Sequence, residues 1–224
     1  LLLLASQEAT RTGNDVVVGF IGPNCQRLRI KLLSVRQDTL NPARYYLTGK
    51  AKVLDYLSSF SGTLVLRQAR ELRQLASNGE AASTATQQAF KAAQREGFVL
   101  ADYELRENSE QPKCGVFRGV TRINWYVDKQ NRLHYDYVYG EGDSYCNNQF
   151  VGTWTSYTTK KVLRCNWGDY RIPNSRDFDI GAGEFSPADK YLAFDWQDVR
   201  DAMGGTDAAR SAAARKREAQ TWWK

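Results

Sequence analysis

A chain of 224 residues with 42% hydrophobic and 25% charged side chains is long enough for one ordinary domain and too apolar for wholesale disorder. Its formal charge of +6 would suit a phosphate-binding surface, but the Lys and Arg residues are scattered, with one dense run at Arg210, Arg215, Lys216 and Arg217. A solvated surface is therefore expected, and nucleic acid is not the predicted partner.

Leu1-Leu2-Leu3-Leu4-Ala5-Ser6-Gln7 has the character of the end of a secretory apolar region. It predicts residues 1–14 as a signal-peptide remnant and mobile leader, and a secreted, periplasmic or envelope-associated protein. No later stretch approaches the ~20 apolar residues of a transmembrane helix. Asp15 to Phe20, with three valines in a row, is β-rich and ends at the turn residues Gly22-Pro23-Asn24. From Arg27 to Val35, Leu28, Ile30 and Leu32 alternate with Arg27, Arg29 and Lys31, the pattern of a half-solvated antiparallel strand. Arg44 to Leu54 and Thr63 to Leu72 continue in the same manner, and short strands so spaced predict an all-β sandwich or barrel.

Residues 76–97 interrupt this pattern with Ala, Ser, Thr and Gln and lack the apolar stripe of a packed helix, so an inserted loop or short helix is expected. Phe98 to Glu107 restores the strand pattern. Between Gly115 and Pro173 apolar alternation and aromatic rings are densest, predicting strands at Val116 to Asp128, Arg132 to Tyr139, Gln149 to Thr159 and Val162 to Tyr170. Asn174 to Ala193 is loop-like, and 196–224 is an Ala- and Arg-rich, helix-prone tail, expected to fray or attach loosely, whose Trp222-Trp223 end could dock on the barrel or on a partner.

Four cysteines, Cys25, Cys114, Cys146 and Cys165, stand at wide spacings with no Cys-x-x-Cys pair for zinc or redox chemistry. Export would permit disulfides, and of the three pairings Cys146 with Cys165 and Cys25 with Cys114 is favoured, because the first pair flanks one strand unit; free buried thiols are the other reading. Asp177, Asp179 and Glu184, in a Gly-containing turn, are the residue types for a hard cation or a glycosidase pair, although carboxylates in such turns more often cap backbone amides. The single histidine, His134, has no visible ligand set or nucleophile beside it. No metal or cofactor is predicted, and no common catalytic motif occurs.

Tyr126, Tyr135, Tyr137, Tyr139, Tyr145, Trp154, Tyr157, Trp167 and Tyr170 crowd one sheet region, and rings with polar tips suit ligand pockets as well as cores. Gly152-Thr153-Trp154 resembles the Gly-x-Trp element of calycin barrels, the lipocalins and avidins, in which the Trp closes one barrel end. The segments 146–154, 165–173 and 179–185 resemble secreted bacterial β-proteins, a likeness that implies fold and export and transfers no functional residue.

The expected fold is one all-β domain over 15–195, an antiparallel barrel or closed sandwich of about 8–10 strands, calycin-like, with the helix-prone tail after it. The expected function is an exported, non-catalytic binding protein for a small ligand or glycan. Tyr135, Tyr137, Trp154 and Trp167 would stack on that ligand, and Asp143, Asn147 and Asn148 would orient it. Two other classes stand beside it: an envelope structural or assembly component that contacts a protein partner, and a glycan-acting hydrolase using Asp177, Asp179 or Glu184.

Overall fold

The computed structural model describes residues 17–73, 93–137, 142–205 and 207–224. The leader at 1–14, residues 76–92 of the expected insert, and Tyr139 lie outside these. Ten strands follow in chain order: β1 (Val17–Ile21), β2 (Gln26–Arg27), β3 (Arg29–Gln37), β4 (Arg44–Val53), β5 (Tyr56–Glu71), β6 (Ala93–Glu107), β7 (Gly115–Asp128), β8 (Leu133–Tyr135), β9 (Asn147–Ser156) and β10 (Val162–Asp169). They form one antiparallel sheet in the order β2-β1-β10-β9-β7-β6-β5-β4-β3, with β8 added on β7. The sheet curls through 221° into a half-barrel. Its two ends meet through the chain, because β2 runs directly into β3 and the Leu28 N–H donates to the Gly19 carbonyl of β1.

Alternation fills the concave face. Val99, Ala101, Tyr103 and Leu105 of β6 project inward with Phe60 and Leu64 of β5, Phe117 and Ile123 of β7, Phe150 of β9, and Cys165 and Trp167 of β10. Each fully buried apolar side chain here contributes roughly 1.5–3 kcal/mol. At mid-barrel Phe150 and Trp167 stack 4.8 Å apart, and Tyr103 meets each edge-on at 5.2 Å. These rings fill the middle of the interior. Tight curvature needs close approach of backbone and ring: a Cβ on Gly97 would lie 2.4 Å from the Trp125 ring paired across from it.

Outside β1 and β10 the chain after Tyr170 builds a second core. Val18 and Phe20 point outward into it and meet Ile172, Phe178, Phe185 and Trp196. The indole of Trp196 donates to the Cys25 carbonyl at 2.7 Å. Two helices follow, α1 (Gln197–Ala202) and α2 (Ala208–Glu218).

Several expectations change. Residues 93–97 belong to β6 and not to an insert, and β8 is only three residues long, because after Tyr135 the chain turns away to pack its tyrosines on one another. The tail is docked where fraying was expected: Glu218 of α2 forms a two-point ion pair with Arg27, reaches Arg29 at 3.5 Å, and buries Ala214 beneath the helix. Lys31 lies 4.7 Å from the Trp223 ring, which fixes the last residues against β3. All four cysteines are free thiols. Cys165 pairs with Gly152, about 20 Å along β9 from Cys146, and Cys25 joins the outer core while Cys114 stands in a pocket wall, so neither expected bond has its partners together.

Candidate functional site

Four hairpins converge at one mouth of the half-barrel: 21–26, 53–56, 107–115 and 156–162. Between them opens a pocket of about 580 Å³. Its walls are Ile21, Val53, Leu57, Phe117 and Leu163, and its polar floor is Glu107, Ser58 and Trp154.

Glu107 occupies the inward position that follows Val99, Ala101, Tyr103 and Leu105, so strand alternation drives a carboxylate into the barrel. It is 8% exposed and accepts three hydrogen bonds: from Ser58 Oγ, from the Gly115 N–H at 2.7 Å and from Trp154 Nε1 at 2.7 Å. Gly115 is required for that arrangement, since a Cβ there would lie 2.7 Å from the Trp154 ring and 2.2 Å from the Thr155 carbonyl. The Tyr157 hydroxyl donates to the Glu107 carbonyl at 3.1 Å and ties down the last hairpin. Burial, and then the Glu107 carboxylate, push the Cys114 thiol up to about 11, which keeps it protonated and unreactive at neutral pH. At the rim Lys113 lies 3.6 Å from the Tyr56 ring and bonds its hydroxyl.

The opposite mouth holds most of the residues expected to bind ligand. Tyr135 donates to Asp169 Oδ2 at 2.7 Å, and Asn148 Nδ2 donates to the same oxygen at 2.6 Å. Asn147 bridges strands, receiving the Asn124 and Asn148 N–H groups and donating to the Asn124 and Asp136 carbonyls. Tyr137, Tyr145 and Tyr170 lie edge-on or tilted against one another at 5.1–6.3 Å. Asp143 is exposed beside Gly183. Burial outweighs the two donors and raises Asp169 to about 7.

The expected set is thus divided. Asn147 opens β9 and Trp154 stands near its far end, roughly 23 Å away. Trp154 lines the pocket, Trp167 belongs to the mid-barrel plug, and Tyr135, Asn147 and Asn148 serve the other mouth. Glu107 and Ser58 went unnoticed in sequence, although a charged residue on the inward register of an otherwise apolar strand was the available signal.

Other polar groups have structural duties. Asp179 accepts from Arg171 at 2.7 Å and from the Gly181 and Ser186 N–H groups, which folds its turn, and Asp177 pairs with Lys190. His134 lies 2.8 Å from Asp128 and stacks on Tyr126. Burial disfavours the Asp128 charge, but donors from Arg132, His134 and Gln130 more than offset it and hold the carboxyl well below the usual range. Among the described residues no cluster of three or more His, Cys, Asp or Glu could hold a metal ion, and no helix is long and apolar enough to cross a membrane. Compared with protein-family models, with curated proteins and with solved structures, the chain matches none.

Proposed function

We propose that this is an exported binding protein that holds a small, largely apolar molecule in the Glu107 mouth. The observation that carries the reading is the pocket of about 580 Å³, whose walls are apolar and whose floor carries a few convergent polar groups. That volume and lining are typical of small-molecule sites. Trp154, the aromatic of Gly152-Thr153-Trp154, stands at this mouth of the half-barrel. With Cys114 protonated, its thiol is not an activated nucleophile, and the reading rests on burial and orientation.

Titration with Nile red, a neutral apolar dye, tests the proposal. Binding in the micromolar range is expected to weaken about tenfold in Leu163→Trp, which adds bulk to the pocket wall opposite Trp154. An unchanged affinity in that variant would mean that the dye sits elsewhere and would remove the reading.

A further inference from the structure

The floor of the Glu107 pocket restricts what can occupy it, a restriction that rests on the reading that the pocket takes a small molecule. Three other carboxylates have a cation beside them: Asp128 has Arg132, Asp179 has Arg171 and Glu218 has Arg27, whereas Asp169 at the opposite mouth is held by the neutral donors Tyr135 and Asn148. Glu107 has no cation either. Its three donors, the Ser58 hydroxyl, the Gly115 amide and the Trp154 indole, are all neutral, and among the described residues no Lys, Arg or His comes within 4.0 Å of it. Arg106, adjacent in sequence, pairs with Glu104, and Lys113 is turned onto Tyr56 at the rim. The exposed rim carries Lys113 and Lys161 against Asp55, so any selection of a cation comes from the floor and not from the rim.

A carboxylate at the floor of a largely apolar pocket attracts a positive group more strongly than one in open water, because the surrounding walls screen the pair less. The Trp154 indole meets this carboxylate through its N–H edge and also lines the pocket. An anion would meet the Glu107 charge with no counter-ion at the floor. A neutral apolar molecule gains the burial but leaves that charge without a partner, and so is held more weakly than a cation of the same body. We infer that the pocket takes an organic ammonium with an apolar body: the ammonium sits at Glu107, and the body lies along Val53, Leu57, Phe117 and Leu163.

Calorimetric titration of the full chain at pH 7 with octylammonium, octan-1-ol and octanoate tests this, because the three share one body and differ in head-group charge. Octylammonium is expected to bind about tenfold or more tightly than octan-1-ol, the ratio one charge-assisted hydrogen bond supplies, with octanoate weakest. In Glu107→Gln the ratio of ammonium to alcohol affinity is expected to fall to about one. Equal affinities in the native protein, or octanoate binding most tightly, would overturn the ammonium class while leaving the pocket reading standing. An ammonium preference that persists in Glu107→Gln would overturn the assignment to that residue. Failure of all three to bind would remove the pocket reading itself. Should Glu107→Gln not fold, the ranking of the three compounds on the native chain decides the class alone.

Discussion

Each mouth of the half-barrel buries a carboxylate among neutral donors, and the two differ in what lies beyond. Glu107 borders a pocket of about 580 Å³ and accepts from Ser58, Gly115 and Trp154. Asp169 is 3% exposed, accepts from Tyr135 and Asn148, and has tyrosines packed beside it. One device therefore has two consequences. Against a cavity, a buried carboxylate is open to a solute, and recognition there is the proposed role; sealed into packing, it is a titratable load on the fold.

The separation of the mouths depends on the Phe150, Trp167 and Tyr103 plug, and removing it should give the largest effect. Trp167→Ala deletes a ring that stacks on Phe150 and meets Phe117 and Tyr103 edge-on, so a loss of about 3–5 kcal/mol is expected in urea unfolding. A cost under about 1 kcal/mol would mean that the core closes over the gap and that the mouths are not held apart by these rings.

A second experiment concerns the sealed carboxylate alone. Because the folded-state value of Asp169 is raised to about 7 from 3.8, the native protein holds a proton there that the unfolded chain has lost between about pH 4 and pH 7. Stability from this group is therefore greatest near pH 4, falls as pH rises through that window, and levels off above about 7. Asp169→Asn keeps an oxygen that can accept from Tyr135 and Asn148 and has no charge to bury. Its stability should be flatter than the native protein's between pH 5 and pH 8, the gap at pH 8 amounting to a few kcal/mol in favour of the variant. Parallel slopes for the two proteins would show that Asp169 is charged at little cost.

Much of the architecture was legible in sequence because alternation is a local signal. Strand β7 was expected at Val116 to Asp128 and runs Gly115–Asp128, and β4 and β10 agree as closely. Where turn chemistry overlaps a strand, reading fails. Ser58, Ser59, Ser61 and Gly62 look like loop residues, yet they belong to β5, where Ser58 is needed as a small donor to Glu107 and Gly62 leaves no room for a Cβ against the Glu104 carbonyl. The site was less legible for a different reason. Ser58, Glu107, Gly115 and Trp154 are brought together by strand pairing, and no spacing in the sequence connects them. Grouping Trp154 with Tyr135 and Asn147 followed proximity in sequence, which in a strand leads to opposite ends of the barrel.

The smallest expected effect gives the sharpest test, because it makes the same chemical deletion at both mouths. Tyr135→Phe and Ser58→Ala each remove one hydroxyl that donates to a buried carboxylate. At the sealed mouth nothing replaces the lost donor, so Tyr135→Phe at pH 8, with Asp169 ionised, is expected to cost about 1–3 kcal/mol. Below pH 6 the cost should shrink, since protonated Asp169 has less need of a donor. At the open mouth water from the pocket can take the hydroxyl's position beside Glu107, so Ser58→Ala is expected to cost under about 1 kcal/mol, with little change over the same pH range. Urea unfolding of both variants at pH 5.5 and pH 8 measures the four values. Equal costs at pH 8 would mean that water does not reach Glu107, and the distinction between a recognition carboxylate and a structural one would then be lost.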